Sequence, residues 1–328
     1  MTTKDQVLQL LRQAQGDLSG EQLSQQLGLS RAAVWKAVRS LRAEGYAITA
    51  TTNRGYRLTA QPDVLTQERV CAFLGAHPWS AHVNVCQSVD STNRMARQLA
   101  AQGAPAGTSV IADRQTAGRG RRGRSFYSPA GEGLYLSVVL RPHALPEQIM
   151  NLTALVAVAA ADAIEEVCGA RPGIKWTNDL VFGTKKLVGI LTELSVIAET
   201  REVEYVVVGI GINCAQTQFP EALQDIATSI TLQTGRRIAR SQLAAALLRQ
   251  LARMNAQLPG PCEEQMARFA AQCVTVGKRV RLVRGDTACE AFAEAVTPSG
   301  ALRVRYDDGA TEDVASGEVS VRGMYGYA

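Results

Sequence analysis

The sequence lacks the residue spacings that mark metal sites and disulfide frameworks. Its three histidines, at positions 77, 82 and 143, do not have the spacing of zinc ligands, so we expect no structural metal site. The seven cysteines form no C-x-x-C pair, and their number is odd. This argues against a disulfide framework and favours a reduced, cytoplasmic setting.

Long apolar runs are also absent. The most apolar stretch, residues 154–161, is far too short to cross a bilayer, so we expect no membrane association. The first residues lead into an amphipathic helical pattern rather than a signal peptide. With 46% apolar residues in a chain of 328, the composition is that of a globular protein of two or three domains.

Positive charge is distributed unevenly along the chain. Residues 1–60 carry eight basic and four acidic side chains, a net charge of +4, whereas the remaining residues carry 27 basic and 26 acidic side chains. The N-terminal segment is therefore the candidate for binding a polyanion.

Residues 1–60 have the pattern of a winged helix-turn-helix. Ser19 and Gln22 form an S-x-x-Q capping box at the start of the second helix, and Gly28 supplies the turn that follows it. The pattern predicts helices over 4–15, 19–27 and 30–44, and then two strands of a wing over 46–50 and 56–59.

The third helix and the wing carry the side chains that we expect to contact DNA. These residues are Ser30, Arg31, Ala32, Trp35, Lys36 and Arg54. Trp35 is unusual for base reading, so packing into the domain core is its alternative role. The alternative for the whole segment is a small helical protein-interaction domain with a solvated basic face.

The central part of the chain contains a loop in which arginine alternates with glycine, GRGRRGR at residues 118–124. Arginine offers a planar fork of donors that suits carboxylate and phosphate oxygens, and glycine lets the backbone approach a ligand closely. The flanking segments, 108–112 and 133–140, have the pattern of buried strands. A basic loop between core strands indicates an anion-binding site, whereas a disordered Gly/Arg segment would indicate RNA binding.

Further motifs accompany this loop. The polar turn DSTN at 90–93 precedes a predicted helix, whose N-terminus offers N–H groups to an anion or a carbonyl. Segments 173–182 and 185–194 predict a hairpin that places Asp179 and Lys186 on facing strands. An ordinary cross-strand ion pair is the structural alternative for these two residues.

The pattern of the remaining residues predicts a central core and a separate β-rich C-terminal part. We expect a long helix over 148–167, a core strand over 204–213 and a mobile loop over 216–229, and short strands from residue 276 onwards predict a small barrel. The predicted fold is α+β. Its domains are a winged helix-turn-helix over 1–62, a mixed α/β core over 63–273 and a small β barrel over 274–328.

Six motifs in this order resemble the biotin–protein ligases, specifically the bifunctional kind that also represses the biotin operon. They lie at 90–93, 114–124, 175–180, 185–191, 209–213 and 317–322. The resemblance covers nearly the whole chain, and it implies that the core is a mixed α/β domain of the biotin/lipoate ligase type and that the C-terminal barrel is SH3-like. One departure is Thr177, where many members have proline, and we expect it to affect the turn more than the chemistry.

The resemblance implies a reaction in two steps. Biotin and MgATP give biotinyl-5′-adenylate, and the biotinyl group then passes to one lysine of the biotin carboxyl carrier protein of acetyl-CoA carboxylase. The implied biotin-binding residues are Ser91, Thr92, Asn93, Gln115, Arg119, Gly120, Arg121 and Lys186. The implied ATP-binding residues are Arg124, Asn213 and Arg322, and the implied catalytic residues are Lys186, Arg121 and Asp179.

The resemblance also implies a biotin-responsive repressor. Such a protein forms a homodimer when it holds the adenylate and binds the operator DNA of biotin genes. Two alternatives remain at this stage: a lipoate–protein ligase, which shares the core architecture, and a transcription regulator whose catalytically weak ligase core only senses a ligand.

Overall fold

The computed structural model describes residues 2–14, 16–43, 46–51, 54–60, 63–260, 262–284, 287–315 and 318–321. These residues divide into two compact units, 1–64 and 65–328. In the described part of the chain, no helix is long and apolar enough to cross a membrane. The predicted division into three domains stays a prediction.

The first unit is a three-helix domain followed by a two-stranded hairpin. Its elements are α1 (Thr3–Gln13), α2 (Gly20–Leu27), α3 (Arg31–Ala43), β1 (Ala47–Thr51) and β2 (Gly55–Ala60). β1 and β2 pair antiparallel, as predicted for a wing. One face of each helix packs into a common core, which contains Val7, Leu11, Leu23, Val34, Val38 and Leu41.

Capping residues define where the helices of this unit begin and end. The hydroxyl of Ser19 accepts from Gln22 N at 3.0 Å, and Gln22 Oε1 accepts from Ser19 N at 2.8 Å, so the predicted capping box is confirmed. Gly28 ends α2 in the left-handed region at φ 65°. Ser30 Oγ then accepts from Ala33 N at 3.2 Å at the start of α3.

The second unit is built on a seven-stranded mixed sheet. Its elements before residue 276 are α4 (Gln67–Leu74), β3 (Val83–Cys86), α5 (Thr92–Ala101), β4 (Ser109–Ala112), β5 (Gly133–Leu140), α6 (Leu152–Cys168), β6 (Gly173–Lys175), β7 (Asp179–Phe182), β8 (Lys185–Val196), β9 (Val203–Asn213), α7 (Ile230–Thr234), α8 (Arg240–Asn255) and α9 (Glu263–Gln272). The strand order is β3-β4-β5-β9-β8-β7-β6, and β3 pairs parallel to β4.

Alternate residues of the central strands face two different layers. Val110, Val139 and Val207 form a small core with one face of α5. Their sequence neighbours, such as Ile111 and Val208, belong to the main core that contains α6 and α8. The sheet is therefore covered by α5 on one face and by α6 and α8 on the other.

The long helix begins later than the sequence pattern indicates. The prediction placed residue 148 in this helix, but α6 starts at Leu152, and Pro146–Ile149 forms a separate 3₁₀ turn. The side chain of Gln148 explains the difference, because its Oε1 accepts from Leu145 N at 2.8 Å and caps the 3₁₀ turn. The helix extent predicted for 148–151 was therefore wrong.

The C-terminal part forms a five-stranded antiparallel sheet. Its strands are β10 (Arg279–Arg284), β11 (Thr287–Val296), β12 (Leu302–Arg305), β13 (Thr311–Val314) and β14 (Glu318–Val321), in the order β13-β12-β11-β10-β14. Trp176 joins this sheet to the core, because its ring Nε1 donates to Gly300 O at 2.9 Å and its backbone N donates to Thr275 Oγ1 at 3.0 Å. The peptide bond between Trp176 and Thr177 is cis.

A buried ion pair fixes the strand that leads into the Arg/Gly loop. Asp113, directly after β4, lies 2.7 Å from Nη1 of Arg240, whose side chain is 2% exposed. The same Nη1 donates to Gly133 O at 3.0 Å, and Asp113 also accepts from Gly131 N at 3.2 Å. The pair therefore ties the two strands that flank the loop to α8.

Candidate active site

A cavity of about 720 Å³ opens on the α5 side of the large sheet. It is lined by the N-terminus of α5, the Arg/Gly loop, strands β7 to β9 and part of the segment 216–229. Eleven of the residues predicted from the sequence line it: Ser91, Thr92, Asn93, Gln115, Arg119, Gly120, Arg121, Arg124, Asp179, Lys186 and Asn213. Arg322 lies outside the described residues.

The Arg/Gly loop is folded back on itself as a small hairpin. Phe126 N donates to Gly118 O at 2.9 Å, and Gly120 N donates to Arg124 O at 2.7 Å. Gly118 is required by close packing, because a Cβ there would lie 2.7 Å from Ser128 Oγ and from Phe126 O. The loop consequently presents its arginine side chains along one wall of the cavity.

Positive charge dominates the cavity lining. The basic lining residues are Arg119, Arg121, Arg122, Arg124, Lys175 and Lys186, whereas Asp179 is the acidic residue among the described lining residues. Arg121 is held in place by Asn178, whose Oδ1 accepts from its Nη1 at 2.9 Å. Such a lining suits a ligand with more than one anionic group.

Lys186 and Asp179 form the predicted cross-strand pair. β7 and β8 are antiparallel neighbours, and Lys186 Nζ lies 2.7 Å from Asp179 Oδ1. The contact is chiefly electrostatic, because Oδ1 makes no hydrogen bond of good geometry within the described residues. Both side chains line the cavity, so this ion pair is also part of the site.

A chain of hydrogen bonds forms the polar floor at the N-terminus of α5. Gln115 Oε1 accepts from Thr92 N at 2.9 Å and from Thr92 Oγ1 at 3.1 Å, and Gln115 Nε2 donates to Ser128 Oγ at 3.0 Å. Ser137, on β5, lies 2.8 Å from Thr92 Oγ1 and donates to Asn93 Oδ1 at 2.6 Å. Ser128 and Ser137 are not among the site residues predicted from the sequence.

Glycines of β8 and β9 leave room for side chains that cross the sheet. Gly189 and Gly211 are direct cross-strand partners, and a Cβ on either would approach the ring of Phe126, to 3.2 Å and 2.6 Å respectively. A Cβ on Gly209 would lie 1.9 Å from Asn93 Oδ1. Gly209 and Gly211 of β9 therefore allow side chains to pack closely against the sheet.

The segment 216–229 forms an apolar wall of the cavity, which was not predicted from the sequence. Its lining residues are Phe219, Pro220, Ala222, Leu223, Ile226 and Ala227. Backbone bonds hold it to β8, since Lys186 N donates to Ile226 O at 2.8 Å and Thr228 N donates to Lys186 O at 2.9 Å. Asn213 Nδ2 also donates to Thr228 O at 3.0 Å. The predicted mobility of this loop stays a prediction.

The residues predicted to contact DNA are all exposed on the first unit. Trp35 is 54% exposed, and the guanidinium of Arg39 lies 5.4 Å from its ring centre. The alternative that Trp35 packs into the core is therefore wrong, because the buried stripe of α3 consists of Val34, Ala37, Val38 and Leu41. Ser30, Arg31, Ala32, Lys36 and Arg54 are exposed as well.

Comparison with known families accounts for three parts of the chain. The model of the biotin/lipoate A/B protein ligase family matches residues 85–213. A model of an HTH domain matches residues 3–57, and that of the biotin protein ligase C-terminal domain matches residues 275–322. The fold and the cavity thus have the features of a biotin protein ligase with an added helix-turn-helix.

Individual relatives show which kind of biotin protein ligase this chain resembles. The bifunctional ligase/repressor BirA of Bacillus subtilis (strain 168) is 40% identical over 250 residues, 75% of this chain and 76% of the relative. The protein of the same name from Escherichia coli (strain K12) is 30% identical over 308 residues, 93% and 92% of the two chains. The structure of biotin protein ligase from Aquifex aeolicus in complex with biotin and ATP matches with a TM-score of 0.63 and 28% identity, over 74% of this chain and 98% of its own. The chain belongs to the family of bifunctional biotin ligase/repressors.

Proposed function

We propose that this protein is a biotin–[acetyl-CoA-carboxylase] ligase that is also a biotin-responsive transcriptional repressor. The observation that carries the proposal is the cavity in which the Arg/Gly loop and Lys186 meet the polar floor formed by Thr92, Asn93 and Gln115. The lining of this cavity combines neutral hydrogen-bonding groups with positive charge. Biotin has a neutral ureido ring at one end and a carboxylate at the other.

The first step joins two anions. A carboxylate oxygen of biotin forms a bond to the α-phosphorus of ATP, and the bond from that phosphorus to the bridging oxygen breaks to release pyrophosphate. Positive side chains fixed around the reacting atoms stabilise the charge that develops. Lys186 bridges the carboxylate and the α-phosphate in this proposal, and Arg121 assists it. Arg124, Asn213 and Arg322 bind the nucleotide.

The donor set around the cavity does not form a metal cage. Within the described residues, no group of three or more His, Cys, Asp or Glu side chains is placed to hold a metal ion. Asp179, the acidic lining residue, is already paired with Lys186. Mg²⁺ therefore enters in this proposal as part of the substrate MgATP, held by phosphate oxygens and water.

The biotin end rests on the polar floor. In this proposal Ser91, Thr92, Asn93 and Gln115 bind the ureido ring, while Arg119, Gly120 and Arg121 close over the rest of the molecule. Ser91, Thr92 and Asn93 are each at most 5% exposed, so their hydrogen bonds to a ligand would form away from bulk water. The loop and the apolar wall 219–227 would also keep water from the mixed anhydride.

The second step needs a neutral amine. The acceptor lysine of the biotin carboxyl carrier protein has an ordinary pKa of about 10.4, so it is almost fully protonated at neutral pH. In this proposal Asp179 orients the ammonium group and receives its proton. The amine nitrogen then attacks the biotinyl carbonyl carbon, and AMP leaves.

The repressor activity uses the exposed face of α3 and the wing. The predicted contacts are Ser30, Arg31, Ala32, Trp35, Lys36 and Arg54, and the DNA is the operator of biotin genes. Because its proposed partners are operator DNA and a carrier protein, we also propose a cytoplasmic location. Operator binding requires a homodimer in this account, as is usual for helix-turn-helix proteins.

Strand β8 offers an edge for this dimer. β7 pairs with β8 only as far as Gly189, whereas β9 continues to pair with it to Val196. The end of β8 and the residue after it expose apolar side chains, with Leu194 48%, Val196 42% and Ile197 36% exposed. An edge of this kind pairs readily with a second copy of the same strand. We propose that two adenylate-bound protomers meet there.

The enzyme activity is tested by biotin-dependent exchange of labelled pyrophosphate into ATP. We expect exchange with biotin but not with lipoate, because the Arg/Gly loop is part of the biotin site. Lys186→Ala should lower the exchange rate by roughly 10²- to 10³-fold, the usual cost of removing a charge-stabilising donor. The control is Lys185→Ala, since Lys185 lies outside the cavity lining and bonds Gln224 O at 2.7 Å.

Exchange with lipoate would support a lipoate ligase instead. A complete lack of exchange, with biotin still bound, would support a regulator that only senses its ligand. Equal losses in Lys185→Ala and Lys186→Ala would show that the assay does not report on the proposed bridge.

The role of Asp179 is tested in the second step alone. With pre-made biotinyl-5′-adenylate and the carrier domain, Asp179→Asn should lower single-turnover transfer by about 10²- to 10⁴-fold, the range for general acid–base catalysis. The defect should shrink as pH rises towards the pKa of the acceptor lysine, because the amine then loses its proton without help. Full transfer by Asp179→Asn at neutral pH would reject this role.

The proposed dimer edge is tested by sedimentation velocity with biotin and ATP present. We expect the unchanged protein to dimerise and Val196→Arg to remain monomeric, because the substitution places a charge on the pairing edge. Leu232→Arg is the control, since Leu232 is similarly exposed, at 48%, but lies on α7. Dimers of Val196→Arg as stable as those of the unchanged protein would contradict the proposed edge.

A further inference from the structure

Glu193 lies next to the cavity but is not among its lining residues. It is on β8, and its side chain is 30% exposed. Its Oε2 accepts from Asn93 Nδ2 at 2.8 Å, and its Oε1 lies 3.6 Å from Arg97 Nη1. None of the steps proposed above uses this carboxylate.

The contacts of Asn93 allow only one orientation of its amide. Nδ2 faces Glu193 Oε2 and also the carbonyl oxygen of Leu191 at 3.3 Å, and both of these groups can only accept. Oδ1 accepts from Ser137 Oγ at 2.6 Å on the other side. A flipped amide would place its oxygen against two acceptor oxygens.

Packing holds the same amide in place. Asn93 is 5% exposed and packs directly against β9, because a Cβ at Gly209 would be 1.9 Å from its Oδ1. With both protons of Nδ2 directed at β8, the amide has no donor left for a ligand. The remaining lone pair of Oδ1 makes Asn93 an acceptor at the cavity floor.

We propose that Glu193 is a positioning residue for biotin recognition. Its carboxylate fixes the amide of Asn93 so that Oδ1 accepts an N–H of the ureido ring. Without this carboxylate, the amide can rotate and present a donor where the ligand also presents a donor. The inference rests on the proposed function, because it takes biotin as the ligand of this cavity.

The first test is calorimetric titration of the full chain with biotin in the absence of ATP. Glu193→Ala should bind biotin about five- to tenfold more weakly, the factor that one oriented hydrogen bond is worth. Glu193→Gln should bind almost normally, because its amide oxygen can still accept from Asn93 Nδ2. The matched control is Arg97→Ala, which removes the other partner of Glu193 and should leave biotin affinity unchanged.

The second test exchanges the two functional groups. Asn93→Asp places a carboxylate against that of Glu193 and should weaken biotin binding by more than about tenfold. Adding Glu193→Gln supplies a donor to the new carboxylate, so the double variant should recover at least about threefold of the affinity lost. Such recovery would show that the two substitutions interact energetically. Independent losses of stability would simply add.

The outcomes separate this inference from the proposed function. A lower melting temperature of Glu193→Ala with unchanged biotin affinity would mean that Glu193 only clamps α5 to the sheet, and the inference would be rejected. Additive losses in the double variant would reject it as well. If the unchanged protein bound no biotin, the proposed function would itself be rejected, and the inference with it.

Discussion

Six positively charged side chains surround one cavity, and this concentration of charge is the constraint on which the rest of the site depends. At an effective dielectric constant of 20, two like charges 4 Å apart repel by about 4 kcal/mol. Asp179 offsets part of this repulsion at Lys186, and the amide oxygen of Asn178 does so at Arg121. A ligand with a carboxylate and phosphates would offset the remaining repulsion between these side chains. Anion binding and ordering of the Arg/Gly loop should therefore favour each other.

Strand β8 extends from the cavity to the proposed dimer edge. Lys186 lies at its start, Gly189 makes room for Phe126 in its middle, and Glu193 holds Asn93 further along. The end of the same strand is the proposed dimer edge. In the proposed function, one strand therefore carries the reacting group, the support of the biotin end and the dimer contact, which would give ligand binding and dimerisation a shared physical basis.

Local patterns were sufficient to predict much of the fold and of the site. The capping box at Ser19, the alternation of the strands and the order of the short motifs are properties of neighbouring residues, and the cavity brings eleven of the predicted residues together. Lys186 and Asp179 were also predicted to lie on facing strands, because a tight turn joins the two segments, and the antiparallel pairing of β7 with β8 confirms this.

The missed features depend on distant parts of the chain. Ser137 is 44 residues from Asn93 in the sequence, and Glu193 is 100 residues from it. Contacts between such distant residues cannot be predicted from local sequence patterns. The apolar wall 219–227 resembles an ordinary loop until its backbone bonds to β8 are known. The error at the start of α6 had a local cause, since Gln148 caps a 3₁₀ turn. The buried stripe of α3 leaves Trp35 exposed, which excludes the core alternative for this residue.

In the proposed function, one cavity serves both the ligase and the repressor. The most direct test is a gel-shift titration of the full-length protein on DNA from the promoter of biotin biosynthesis genes, with neither substrate, with biotin or ATP alone, and with both. We expect DNA binding to strengthen only when both biotin and ATP are present, because only then does the adenylate form. An affinity for this DNA that is the same under all four conditions would contradict it.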